Sequence, residues 1–120
     1  MRNVVVVGAG GMGRAWMDAI ARRADTRVSA VVDVAPAAAR GAVEERGWDI
    51  PTMQTVDEAL ALVEADLLLN VTVPEAHLAV SSAALRAGVW PTTLTSAKAA
   101  LATVFRGMSS LPGRFWAKIH

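Results

Sequence analysis

The sequence predicts a doubly wound parallel α/β sheet in a single domain, and three observations predict it. Short apolar runs alternate with stretches whose apolar residues recur at helical spacing, from residue 4 to about residue 88. The runs are apolar throughout, as in strands covered on both faces, instead of alternating as in half-exposed ones. The first run also leads straight into a cluster of glycines before a helical pattern begins.

Taken in order, residues 4–7 (VVVV) are the first strand, and Met12, Ala15, Trp16, Ala19 and Ile20 mark the first helix over residues 12–21. Residues 27–33 (RVSAVVD) form a second buried strand ending on an acid. Pro36 suits the first position of a helix over residues 36–46, whose quality Gly41 lowers. The segment WDIPTMQ has room for only a short third strand. Thr55 with Glu58 reads as a capping box opening a helix to about Val63. Residues 65–73 (ADLLLNVTV) are the fourth strand, and Pro74 and Glu75 open a helix that runs to Leu85 and ends at Gly88. The segment VWPTTLTS offers a fifth strand that Pro91 confines to an edge or interrupts. Ser96 is placed to cap a helix over residues 97–108, and a Pro-Gly turn precedes an apolar, aromatic end.

Composition bounds the function. A chain of 120 residues, 53% hydrophobic and 19% charged, is a globular domain. It buries roughly two-thirds of the surface its unfolded form exposes. Twelve basic against eleven acidic side chains leave a formal charge of +1, which argues against a nucleic-acid partner. Arg22, Arg23 and Arg27 are the nearest approach to a basic patch, and they cluster where the first helix ends and positive charge suits its dipole. The absence of cysteine excludes disulfides, thiolate metal sites and thiol nucleophiles. No apolar stretch approaches the ~18 residues of a membrane span, and the N-terminal one is too short for a signal peptide core, so a cytoplasmic protein is expected.

The chemistry is expected in the glycine cluster. Gly8-Ala9-Gly10-Gly11-Met12-Gly13 matches G-x-G-x-x-G, placed between a strand and a helix, and Asp33 ends the next strand 20 residues after the last glycine. In such a turn Gly8 permits the tight bend, Gly10 admits a pyrophosphate close to the backbone, and Gly13 lets the helix pack on the strand. The free N–H groups of the helix's first turn then face the phosphates. Asp33 accepts from the adenosine ribose hydroxyls and repels a 2′-phosphate, which favours NAD over NADP. The competing readings are a tight turn with a surface Asp and a methyltransferase-type domain, whose glycine-rich turn does not require the third glycine at this spacing.

The segment DLLLNVTVPEAHLAVSSAALRAG extends the pattern. A strand ending in a small polar residue, then Pro, His three residues on, and Ala-Leu-x-Ala-Gly resembles the Gfo/Idh/MocA family, the glucose–fructose oxidoreductase and inositol dehydrogenase relatives. The resemblance covers residues 2–88 and implies an NAD(P)-dependent oxidoreductase of sugars, cyclitols or related polyols with a Rossmann-type cofactor domain. It implies that Asn70, Val71, Thr72 and Pro74 line the nicotinamide side of the cleft. It also places His77 on the family's His, either at the cofactor or packed in the first turn of a helix. Family members follow the Ala-Gly with a strand ending in Glu-Lys-Pro. Here the chain reads GVWPTTLTSAKAALA, so Lys98 is the sole candidate for the family's catalytic lysine. It lies ten residues after Gly88, about three later than the pattern, and an ordinary solvated lysine is the competing reading. The expectation is therefore one NAD(P)-binding domain over residues 1–120, family-like over 1–88 and divergent over 89–120, with no C-terminal substrate domain. The alternative is a non-catalytic dinucleotide sensor, or a subunit completed by a partner chain or a second copy. Trp90, Phe105, Phe115 and Trp116 would then offer apolar surface to such a partner, ordinary core packing being the commoner use of such residues.

Overall fold

The computed structural model describes residues 2–71 and, beyond them, the backbone of two strands, Val89–Thr93 and Arg114–Lys118. In chain order the elements are β1 (Arg2–Val7), α1 (Gly11–Ala21), β2 (Thr26–Val32), α2 (Pro36–Glu45), β3 (Thr52–Met53), α3 (Val56–Leu62), β4 (Leu67–Asn70), β5 (Val89–Thr93) and β6 (Arg114–Lys118). Every pairing is parallel, and the sheet order is β3-β2-β1-β4-β6-β5. The chain moves outward from β1 to β3, then returns to the other side of β1 for β4. In sheets with such a reversal, ligands bind outside the carboxyl ends of the strands that flank it, here β1 and β4.

Both faces of β1, β2 and β4 are covered. On one, Val4, Val6, Val28, Val31, Leu67 and Leu69 pack against Trp16, Met17 and Ile20 of α1 and Ala39, Ala42 and Val43 of α2. On the other, Val5, Val7, Ala30, Val32 and Leu68 pack against Val56 and Ala59 of α3. Burial on both sides explains the unbroken apolar runs. Val4, Val5, Val6, Leu67, Leu68 and Leu69 are all 0% exposed, each contributing about 1.5–3 kcal/mol of burial. The β1–β2 register slips at Ser29, since Val4 pairs with Val28 but Val5 with Ala30. Ser29 is the extra residue of this bulge, and its hydroxyl donates to the Val4 carbonyl at 3.3 Å.

The helices begin and end for local reasons. Pro36 stands in the first turn of α2. Gly47, at φ 66, closes the same helix, with its N–H on the Glu44 carbonyl (3.0 Å) and the Trp48 N–H on that of Val43 (3.2 Å), a Schellman end. Thr55 caps α3 by accepting from the Glu58 N–H at 3.2 Å. The second bond of this cap runs from the Thr55 hydroxyl to the Glu58 carboxylate (2.9 Å), not from the carboxylate to the backbone N–H as in the usual box.

Three expectations change. The buried stripe of α1 is Gly13, Trp16, Met17 and Ile20, while Met12 and Ala15 face solvent, because α1 presents the glycine of its first turn to β1. Arg22 is the residue that caps α1, whereas Arg23 pairs with Asp25 and Arg27 lies in β2 on Asn3. The aromatic end contains a strand, β6, seated between β4 and β5, which leaves Pro91 on the sheet edge. The expected helices over 74–85 and 97–108, the Pro112-Gly113 turn and Phe105 lie outside the described residues, as do the side chains of Trp90, Phe115 and Trp116.

Candidate functional site

The site is built at the carboxyl ends of β1, β2 and β4. Gly8 follows β1 at φ 110, a conformation that a side chain would strain, and its N–H bonds the Val32 carbonyl at 2.8 Å. The chain then turns through Ala9, which is buried, and exposed Gly10 into α1. A Cβ added at Gly13 would stand 1.9 Å from the Gly8 carbonyl oxygen and 2.8 Å from its carbon. The third glycine is therefore required by the contact between α1 and the turn itself. At Gly10 and Gly11 an added Cβ would meet nothing within 4 Å, so that side of the turn is open.

Among the described residues, nothing accepts from the first-turn N–H groups of α1. Gly10 stands at the N-cap, no side chain caps the helix, and no acid lies in its first turn. The leading N–H groups of a helix have no acceptor within it, and they carry the positive end of its dipole. This end opens on the exposed face of Gly10, Gly11 and Met12, the last 53% exposed.

Asp33 stands just past β2 and joins the turn to the next helix. Its Oδ2 accepts from the Ala9 N–H at 2.8 Å and its Oδ1 from the Ala35 N–H at 2.8 Å. Its own N–H bonds the Met53 carbonyl of β3 at 3.0 Å. Beside it, Val34 is 82% exposed, and the Val34 carbonyl accepts from the Gln54 amide at 3.3 Å. On the other side of the turn, Asn70 is fully buried at the end of β4 and pairs in register with Val7. The Val71 N–H continues the ladder to the Val7 carbonyl at 2.8 Å.

The structure thus brings together Gly8, Ala9, Gly10, Gly11, Met12, Gly13, Asp33, Asn70 and Val71 along one edge of three adjacent strands. Thr72, Pro74, His77 and Lys98 lie outside the described residues. Sequence reading missed Arg14, whose Nε donates to the Ala9 carbonyl at 3.0 Å. A polar residue directly after the third glycine was visible, but its partners lie on α2 and the turn, which no spacing rule connects. The residues fit a dinucleotide: an open glycine turn, free helix N–H groups and a carboxylate held beside them are the donors and acceptor that a pyrophosphate and a ribose require.

Comparison with known proteins agrees. The family model of the Gfo/Idh/MocA oxidoreductases, described as an oxidoreductase family with an NAD-binding Rossmann fold, matches residues 2–95. Among solved structures, myo-inositol dehydrogenase from Lactobacillus casei, in complex with NAD(H) and myo-inositol, superposes with a TM-score of 0.72 at 24% identity. The match covers 98% of this chain and 36% of that one. An oxidoreductase from Agrobacterium radiobacter, in complex with NAD+, L-tartaric acid and magnesium, gives 0.69 at 15% identity, covering 97% and 34%. Scyllo-inositol dehydrogenase from Lactobacillus casei, with NAD(H) and scyllo-inositol bound, gives 0.67 at 20%, covering 96% and 36%. At these identities the likeness is one of fold, and the chain spans about a third of the length of each of these structures. No curated protein matches the chain. The match over most of the sequence and the glycine turn it contains identify the chain as a member of the Gfo/Idh/MocA oxidoreductase family, carrying its NAD-binding Rossmann fold.

Proposed function

We propose that this chain is the cofactor domain of an oxidoreductase that moves a hydride between nicotinamide and a sugar, cyclitol or related polyol. The observation that carries the reading is the Asp33 carboxylate, fixed by two backbone N–H bonds beside an open glycine turn. In this reading the N–H groups at Gly10, Gly11, Met12 and Gly13 receive the pyrophosphate, with Gly8 and Ala9 shaping the bend. Asp33 accepts from the adenosine ribose through lone pairs its two backbone donors leave open. Asn70 and Val71, with Thr72, Pro74 and His77 by family resemblance, line the nicotinamide side. Bound NAD supplies the hydride acceptor, and the chain's own part is to bind and orient it. Lys98 is the one lysine near the family's catalytic position, where it would support proton transfer to or from the substrate hydroxyl.

The sequence after Gly88, which lacks Glu-Lys-Pro, favours a second reading. The chain would then be a dinucleotide-binding module without turnover of its own, or one completed by another subunit. We place either form in the cytoplasm, and among the described residues no helix is long and apolar enough to cross a membrane.

Calorimetric titration with NADH and NADPH tests the cofactor reading. NADH should bind, and NADPH at least about tenfold more weakly because its 2′-phosphate faces Asp33. Binding of neither cofactor refutes the reading. Turnover of a polyol panel then separates the enzyme from the module: reduced cofactor accumulates only if the chain completes a substrate site.

A further inference from the structure

We propose that Arg14 is the positioning residue of the glycine turn. The proposal rests on the cofactor reading above and names a residue that the G-x-G-x-x-G pattern does not contain. Ala9 is held from both sides: its N–H by Asp33 Oδ2 at 2.8 Å and its carbonyl by Arg14 Nε at 3.0 Å. The peptide planes on either side of Ala9 are thereby set, and with them the direction of the backbone entering Gly10 and Gly11. Two consecutive glycines have the least intrinsic preference of any pair, so the turn needs an external hold to keep its N–H groups aimed at one point.

Arg14 is itself tied to α2. One terminal nitrogen donates to Glu45 Oε2 at 2.6 Å and the other to the Ala38 carbonyl at 3.4 Å, both on α2. Arg46 completes the arrangement from the opposite direction. It donates to the Arg14 carbonyl at 3.2 Å and to both carboxylate oxygens of Asp18 at 2.9 and 3.1 Å, with the Trp48 ring 5.9 Å away. α1 and α2 are therefore tied twice, and the spacing between them fixes where Arg14 meets the turn. A lysine cannot replace this function, because one ammonium does not reproduce a planar fork addressing three directions.

The test compares Arg14→Leu and Arg14→Lys with the unaltered chain and with Ala59→Gly. The last destabilises α3 on the opposite face of the sheet without touching the turn. NADH affinity is measured by titration at a temperature where thermal melts show every variant folded. Amide resonances of Gly10 and Gly11 are recorded without ligand. Arg14→Leu should bind NADH about tenfold more weakly, the loss expected for one hydrogen bond that orders the site, and Arg14→Lys should recover less than half of that. Both should shift or broaden the Gly10 and Gly11 amides, while Ala59→Gly lowers the melting temperature and leaves affinity and amides unchanged. The proposal is overturned if Arg14→Leu binds within twofold of the unaltered chain, or if Ala59→Gly weakens binding equally. Failure of the unaltered chain to bind NADH refutes the cofactor reading. The amide shifts still decide whether Arg14 orders the turn.

Discussion

One hydrogen atom at residue 13, in place of a methyl group, lets α1 pack on the turn that follows β1. In Gly13→Ala the new Cβ would lie 1.9 Å from the Gly8 carbonyl oxygen, whereas real Cβ atoms essentially never come within 3.0 Å of a heavy atom outside their own and adjoining residues. The atom in the way is backbone, so no side-chain rotation relieves the clash. The helix must withdraw from the turn by about 1.1 Å, the difference between those distances. A radial gap of about 0.5–1 Å forfeits a quarter to a half of a contact's attraction, and Trp16, Met17 and Ile20 are the buried side chains that would be lifted. Their burial contributes about 1.5–3 kcal/mol each, and alanine returns at most about 1 kcal/mol of helix propensity. The net expectation is a loss of about 2 kcal/mol, set against a total of roughly 6–18 kcal/mol for 120 residues. Urea unfolding followed by circular dichroism measures it. Gly11→Ala is the matched control: the same substitution in the same helix, with nothing within 4 Å of the new atom, should be neutral or stabilising by up to about 1 kcal/mol. Equal losses at the two positions, or a loss under about 1 kcal/mol at Gly13, would refute the packing argument.

Two further outcomes are expected. Gly47→Ala forces a side chain into the left-handed conformation that ends α2 at φ 66, and should lower stability by about 1–2 kcal/mol in a thermal melt; an unchanged melting temperature would mean that the helix end rearranges without cost. The Asp25 carboxyl is held below its ordinary 3.8, first by the hydrogen bond from Arg23 and then by the Arg23 and Arg2 charges. A lowered folded-state value stabilises the fold above pH 3.8 and loses that contribution as pH falls through the lowered value. In Arg23→Gln a carboxyl NMR titration should show the Asp25 midpoint move up towards 3.8. The pair is exposed, so the accompanying stability difference should be small at neutral pH and vanish in acid.

The first three strands and helices were legible because their signals are local. Four consecutive valines, a proline at a first helical turn and a threonine three residues before a glutamate each act within a few residues. The features that were not legible depend on contacts between distant segments. The bulge at Ser29 lies within a run, RVSAVVD, that reads as an uninterrupted strand, yet it decides that Ala30 and Val32 face α3 while Val28 and Val31 face the other layer. β6 is five residues long with a charged residue at each end, and its identity as a strand comes from pairing with β4 and β5. At the site, the glycines and Asp33 were visible as a pattern, but the bonds that join them were not.

Those bonds bear on cofactor choice. An acid that discriminates against a 2′-phosphate by repulsion works only if it cannot turn away, since a freely rotating carboxylate relieves the clash for the loss of one rotamer. Asp33 has no such freedom: Ala9 and Ala35 each hold one of its oxygens at 2.8 Å, one from the turn and one from the entrance to α2. The energy that orders the acid is supplied when the domain folds, so binding does not bear that cost. The same arrangement makes Asp33→Ala a poor test by itself, since it removes the turn's support together with the charge. Asp33→Asn is the sharper variant. Its amide oxygen still accepts from one backbone N–H, its NH2 faces the other donor, and the negative charge is gone. On the cofactor reading, Asp33→Asn should narrow the NADH-over-NADPH preference more than it lowers thermal stability. If the preference stays while stability falls, the role of Asp33 is to hold the turn, and discrimination must come from another residue at the carboxyl edge.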